Sequence, residues 1–447
     1  MMTFIDEAQR PPLKTQIVIV GGGAAGLELA TRLGRRFGRK HHDIILVERD
    51  RTHIWKPLLH EVAAGALDAN IDEVGYRAHA YRWKYRYFHG TLEEVDTDGR
   101  EVVIAPLLDE AGAEIVGRHR IRYDYLVLAY GSVTNDFGTP GVRENCFFLD
   151  SREQADRFRD HLLNHCLRVS RAMMADRQAD ARVRIAIVGG GATGVELAAE
   201  LYNAADALSH YGLEVFDRRR LEVTLIEAGP RILPALPEKL SQAVTSELEK
   251  LGVRVLTGTM VSEVESDGMR FASGDRIPAD IRLWAAGIKA RPIDGRLGDL
   301  EVNGNGQIVV RPTLQTTLHD EIFAMGDCAA CRLPGSDRLV PPRAQAAHQM
   351  AATVFANLCH AMRGEAPQPF VYRDRGSLVS ISRFSTIGTL MGALVGGALA
   401  IEGRLARLVY LSLYRLHLIA IHGWIKGLAL MIVGRVNAFV RPRLKLH

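Results

Sequence analysis

Cysteine is scarce in this 447-residue chain: there are five, an odd number, and no charged-then-apolar leader opens the sequence. Both features argue against a disulfide scaffold and for a reducing compartment, a bacterial or organellar interior. Acidic residues are missing altogether from Arg404 to His447, where eight basic residues stand, and without that segment the net charge of +4 becomes −4. Those basic residues are interleaved with Leu, Ile, Val and Trp, a composition suited to an anionic membrane surface and not to nucleic acid. Long uncharged runs are also lacking there. The tail's longest stretch without Lys or Arg, Leu416 to Ile425, has 10 residues, whereas a spanning helix needs about 20. Disorder is excluded as well, because 47% hydrophobic and 24% charged residues match ordinary globular usage. A chain this long exceeds one hydrophobic core, so two or three packed units are expected.

What the chain does have is a repeated punctuation. The β-branched run Gln16 to Val20 leads into Gly21-Gly22-Gly23-Ala24-Ala25-Gly26, and a helical pattern begins at Leu27. A second apolar run, Ile44 to Val47, ends at Glu48. In such a strand–turn–helix Gly21 permits the sharp bend, Gly23 lets a pyrophosphate approach the backbone and Gly26 allows close packing. Glu48 stands where a carboxylate accepts hydrogen bonds from ribose hydroxyls. The pattern returns 168 residues later: Arg184 to Val188, then Gly189-Gly190-Gly191-Ala192-Thr193-Gly194, then Val223 to Ile226 ending at Glu227. That period fits a duplicated domain, so the chain carries two dinucleotide sites, as electron transfer from a diffusible nicotinamide to a held flavin requires. Glu227 favours NADH over NADPH, because a carboxylate repels a 2′-phosphate; Arg231, four residues on, could accommodate one.

Further elements resemble the two-dinucleotide-binding flavoprotein superfamily. Glu321 to Asp327 resembles its second flavin signature, whose Asp binds the ribityl chain, and Leu126 to Gly131 and Leu283 to Gly287 look like its crossover segments. Many of its members reduce disulfides with a cysteine pair after the first strand–helix–strand unit. Here the first cysteine is Cys146, so that chemistry is excluded. Cys328 and Cys331 are expected to be buried and structural, on the first turn of a helix, and no metal site is expected. In place of the cysteines stands WKPLLHEVAAG (Trp55 to Gly65). With VPPRAQAAHQM (Val340 to Met350), GSLVSIS (Gly376 to Ser382) and RPRLKLH (Arg441 to His447), it resembles the type II NADH dehydrogenases of bacterial respiratory chains.

That resemblance implies FAD in the first domain, NADH as its reductant, a membrane quinone as oxidant and no proton pumping. It implies FAD contacts from Gly21, Gly22, Gly23, Ala24, Ala25, Gly26, Glu48, Lys56, Ala129, Gly131, Asp327, Ala344 and Gln345. NADH falls to Gly189, Gly190, Gly191, Thr193, Gly194, Glu196, Glu227, Ala286 and Gly287, with Glu196 positioning the nicotinamide. Gln345, His348 and Gln349 are assigned to the quinone, and Glu196, Gln345 and Gln349 to catalysis. One helical turn separates Gln345 from Gln349, so both are expected to face one cavity. A homodimer is implied too, peripheral on the cytoplasmic face of the bacterial inner membrane, using ubiquinone or menaquinone.

The expected fold is α/β: two Rossmann-like domains, the NADH domain inserted in the FAD domain, and an amphipathic helical membrane tail. The limits are 1–145 and 304–401 for the FAD domain, 146–180 for a helical connector, 181–303 for the NADH domain and 402–447 for the tail. Residues 101–123 predict a hairpin, and the first ten residues are expected to be disordered. The uncharged segment Phe384 to Ile401 has four glycines, predicting short strands and a turn at the edge of the flavin domain. On a single helix Arg404, Arg415, His422 and Lys426 would fall within about 40° of one another, a basic stripe on an apolar cylinder lying in the membrane interface. Two other functions use the same features. A sulfide:quinone oxidoreductase would need distant paired thiols, for which Cys166 and Cys359 are the candidates; an NADH-sensing flavoprotein would reduce once and stop.

Overall fold

The computed structural model describes residues 14–40, 42–67, 69, 73–176, 180–208, 216, 218–380, 386–392, 397–402, 415 and 417–440. The opening ten residues and the closing RPRLKLH lie outside them. The chain packs as two units. The first comprises Met1–His53, Val74–Ser132 and Lys289–Arg373, and the second Ile54–Glu73, Val133–Ile288 and Asp374–His447.

The first unit is built on a five-stranded parallel sheet. Its strands, in spatial order, are Ile322–Ala324, Tyr125–Leu128, Thr15–Val20, His42–Glu48 and Arg86–His89. Ile17, Val18, Ile19, Ile44, Ile45, Leu46 and Leu126 to Leu128 are all buried, because a parallel sheet covered on both faces needs continuous apolar strands, without polar alternation. The helix Ala24–Phe37 follows the first glycine loop, and Ala344–Ala361 packs against it. The predicted hairpin is present: Glu101–Ile104 pairs antiparallel with His119–Arg122, and Leu92–Asp96 makes it a three-stranded sheet.

In the second unit the sheet order is Arg254–Leu256, Leu221–Ile226, Val183–Val188 and Ile281–Trp284, again parallel. The helix Ala192–Leu208 follows its glycine loop. The 24-residue helix Arg152–Ala175 starts at Ser151, whose hydroxyl accepts from the Gln154 amide. It packs against the short helix Leu59–Ala63 of the WKPLLHEVAAG segment.

Three local expectations are corrected. Cys328 ends a 3-10 turn (Gly326–Cys328) and a two-residue strand follows, so the cysteines start no helix. In the segment expected at the edge of the flavin domain, Thr386–Gly392 and Gly397–Glu402 do form antiparallel strands with Gly376–Ser380, but they belong to the second unit. The tail is not one helix: Gly423, at φ 79°, separates helical residues 417–422 from the helix Trp424–Val440. His422 and Lys426 therefore share no common stripe. Nor is the tail separate throughout, since His417 stacks on Trp55 at 5.7 Å and Leu418 and Ile421 are buried.

Candidate functional site: two dinucleotide loops and the residues that hold them

Both glycine loops are built alike, and each glycine has its own reason. Gly21 (φ 104°) and Gly189 (φ 113°) adopt a backbone that L side chains avoid, and a Cβ there would run into the Ala129 and Ala285 carbonyls respectively. Gly26 and Gly194 press so close to the carbonyls of Gly21 and Gly189 that no Cβ fits. The middle glycines differ. A Cβ on Gly23 or Gly191 would meet no protein atom within 4 Å, so neither packing nor, at Gly23, a φ of −62° calls for glycine. The open space before each lies at a helix N-terminus, an arrangement that can take an anion such as a pyrophosphate. Gly131 (φ 72°) likewise faces open space.

The carboxylates at the strand ends do more than wait for a ribose. Glu48 Oε2 accepts from the Gly22 amide at 2.5 Å and Oε1 from the Asp50 amide at 3.1 Å. Glu227 accepts from Gly190 at 2.7 Å and Gly229 at 2.6 Å. The other side of each peptide is held differently. Gly190 O accepts from the Leu233 backbone at 2.7 Å, but Gly22 O accepts from the Tyr76 hydroxyl at 2.7 Å. Tyr76 is buried and stacks on Tyr87 at 5.3 Å. Lying 54 residues from its partner, it carried no local signal in the sequence.

Arg231 sends its guanidinium to the carbonyls of Leu236 (2.7 Å) and Pro234 (3.1 Å), bracing the turn after Glu227. In the first unit Asp327 accepts from the Ser132 hydroxyl at 2.7 Å, its carbonyl accepts from Gln307 at 2.9 Å, and Gly326 before it sits at φ 75°. Gly326, Asp327, Arg343, Ala346 and Met350 line one crevice, so the structure brings the second flavin signature and the AQxAxQ helix together.

The remaining candidates have partners of their own. Gln349 donates to Arg373 O and accepts from Arg373 N, both at 2.9 Å, so its amide is held on the backbone. His348 turns its Nδ1 to Glu28. Lys56 lies 3.2 Å from Asp150, within the second unit. Glu196, buried at the start of its helix, has His60 Nδ1 at 3.6 Å. Burial pushes His60 down to about 4, so its ring is uncharged at neutral pH. Ala286 and Gly287 follow the strand Ile281–Trp284, with the Phe137 ring against Gly287.

Thiol chemistry finds no support in these surroundings. Burial pushes Cys166 and Cys328 up to about 12 and Cys331 to about 11, so all three stay protonated at neutral pH.

The chain's relatives agree with this reading. The family model described as pyridine nucleotide-disulphide oxidoreductase matches residues 15–351. A type II NADH:quinone oxidoreductase of Haemophilus influenzae is 45% identical, over 96% of this chain and 99% of its own length. A Mycobacterium tuberculosis protein with that description is 29% identical over 92% of this chain and 86% of its own. Among solved structures, NDH2 from Plasmodium falciparum in complex with NADH superposes with a TM-score of 0.79 at 18% identity, covering 97% of this chain and all of that one. The sulfide:quinone oxidoreductase of Aquifex aeolicus superposes at 0.68 and 19% identity, with 95% of each chain covered. At such identities the superpositions establish the fold alone, and the sequence match decides between the chemistries. The chain thus belongs to the pyridine nucleotide-disulphide oxidoreductase family and, within it, to the type II NADH:quinone oxidoreductases.

Proposed function

We propose that this protein binds FAD in its first unit, oxidises NADH bound to its second, and passes two electrons to a membrane quinone without pumping protons. The observation that carries this reading is the pair of equivalent glycine loops, each with an open cradle at its middle glycine and a strand-end carboxylate beside it. FAD would be held by the Gly21–Gly26 loop, Glu48 and the Asp327 crevice, and NADH by the Gly189–Gly194 loop, Glu227 and Glu196. Bound flavin supplies a two-electron acceptor for hydride and a donor to quinone. The chain's own task is then to hold and orient, which needs no protein nucleophile.

NADH is the preferred nicotinamide. Glu227 places negative charge where a 2′-phosphate would lie, and Arg231 is committed to two backbone carbonyls. A sulfide oxidase would need reactive thiols, whereas Cys166 is buried in the core and held protonated.

The quinone is taken from the bilayer, with the enzyme peripheral on the cytoplasmic face as a homodimer. Among the described residues no helix is long and apolar enough to cross a membrane. Yet Trp424, Ile425, Leu428, Leu430, Ile432 and Val433 of the last helix are all exposed, and Lys426 stands exposed among them. A helix with so much apolar surface in water is stabilised by lying in a lipid interface, with basic stems reaching headgroups. Purified enzyme mixed anaerobically with NADH should lose its flavin colour and recover it on adding quinone, with steady turnover. Bleaching by sulfide instead of NADH, or one reduction without turnover, would overturn the proposal.

A further inference from the structure

One residue of the second unit is both strained and uncovered. Phe137 has φ 51°, a left-handed backbone that a bulky side chain rarely adopts, and it is 63% exposed. A single exposed apolar ring is ordinary; one on a strained backbone that the surroundings hold in place is not. The Phe137 amide donates to Asn135 Oδ1 at 3.0 Å. The Asn135 carbonyl accepts from the indole of the buried Trp284 at 2.9 Å, and the Asn135 amide donates to Gly287 O at 3.3 Å. On the other side of Phe137 the Thr139 amide donates to Asp136 O at 2.9 Å, closing the turn. The loop is thereby pinned to the segment that follows the strand Ile281–Trp284, and the ring lies against Gly287. A Cβ on that glycine, itself at φ 62°, would come within 2.5 Å of Phe137 Cζ. Strain of this kind persists only where the surrounding structure fixes it, and it collects at ligand sites.

The place of the ring in the sheet says which part of a ligand it meets. Glu227 follows the second strand in spatial order, the Gly189–Gly194 loop follows the third, and Ala285, Ala286 and Gly287 follow the fourth. All stand at the carboxyl ends of parallel strands, where open α/β sheets bind their ligands. The loop and the last segment touch, since a Cβ on Gly189 would lie 2.7 Å from the Ala285 carbonyl. A dinucleotide with its adenosine ribose on Glu227 and its pyrophosphate on the loop therefore carries its other half across the fourth strand, to Gly287 and Phe137.

Resting on the reading of this loop as the NADH site, we propose that Phe137 is a nicotinamide-binding residue: its ring is the flat apolar wall against which the nicotinamide ring of NADH and NAD⁺ packs. Gly287 is required for the wall to stand there, because any side chain would displace it. The contact covers an aromatic face otherwise left in water, and that burial offsets the strain of the loop when the dinucleotide binds.

The test uses the FAD-loaded full-length enzyme with ferricyanide as acceptor. It compares NAD⁺ with ADP-ribose, which lacks the nicotinamide ring, as inhibitors competing with NADH. In Phe137→Gly the KM for NADH and the inhibition constant of NAD⁺ should rise about fivefold or more, while that of ADP-ribose stays within about twofold of the wild type. Glycine adopts positive φ without strain, so the thermal midpoint of this variant should not fall, whereas loss of a ring that merely supports the fold would lower it. Phe137→Tyr keeps the ring and should restore both constants. Phe137→Leu, apolar but without a flat face, should not, and it provides the same comparison if the glycine variant does not fold. Equal weakening of NAD⁺ and ADP-ribose, or no change in either, overturns the proposal while NADH oxidation by the wild type leaves the functional reading intact. A wild type that does not oxidise NADH refutes that reading and the proposal with it.

Discussion

At the scale of the residue, Glu227 has two tasks. Its oxygens accept from Gly190 and Gly229, and in the proposed NADH site its charge would oppose a 2′-phosphate. Glu227→Gln removes the charge but also turns an NH₂ toward one of those amides. The expected outcome is a higher NADPH-to-NADH ratio of kcat/KM together with a KM for NADH raised about tenfold, since one lost charge-assisted hydrogen bond is worth about 1.5–3 kcal/mol. FAD content should not change, because Glu227 belongs to the other unit; an unaltered ratio would remove Glu227 from cofactor choice. His60 gives a prediction of a different kind. Folded, its ring stays neutral down to about pH 4, while the unfolded chain takes up a proton near the ordinary 6.5. Between those values the unfolded state binds more protons, so the stability His60 contributes is whole above pH 6.5, declines as the pH falls and is gone below 4. At most about 3 kcal/mol is involved. Chemical denaturation of wild type and His60→Asn at pH 7 and pH 4.5 should show a smaller acid loss in the variant.

Among elements, the two glycine loops differ in how their second peptide is held. The Gly189–Gly194 loop is clasped by backbone from Leu233, which no side-chain substitution removes, whereas the Gly21–Gly26 loop, proposed for FAD, depends on the Tyr76 hydroxyl. Tyr76→Phe leaves a buried carbonyl without that donor, at a cost of about 1–3 kcal/mol. FAD affinity should weaken about tenfold, measured as flavin released on dilution, while NADH binding to the second unit is retained. Equal loss at both sites would mean that Tyr76 supports the fold generally. Gly423 makes a related point about reading elements from sequence. Periodicity across the tail suggested one basic stripe, but a single residue at positive φ ends one helix and begins another, and a helical wheel carries no information about such a break.

For the whole molecule, the attachment to a membrane is the property to test. Cutting at Arg404 would remove His417, which stacks on Trp55, together with the buried Leu418 and Ile421, and so would damage the second unit. Ending the chain after Gly423 removes the exposed helix and spares that contact. This shortened enzyme should keep FAD and reduce ferricyanide with NADH, yet float free of anionic vesicles and lose most turnover with a long-chain quinone. High salt should weaken binding of the full-length enzyme without abolishing it, because the apolar face is not screened. Vesicle binding by the shortened enzyme at full strength would place the anchor elsewhere.

The sequence alone determined what is local. Both glycine loops, their strand-end carboxylates and the apolar runs of the parallel sheets were legible because strand, turn and helix N-terminus are contiguous, and each glycine's demand is met within a few residues. Nothing near Glu28 announced a partner 320 residues away. Only tertiary structure decided that His348 turns to Glu28, that Gln349 and Arg231 are bound to backbone carbonyls, that Tyr76 holds Gly22 and that part of the tail is buried. Such choices belong to polar groups brought together from distant segments. Each buried group must find a partner, and which partner lies within 3 Å is set by how the helices and loops pack, a quantity that no spacing in the chain encodes.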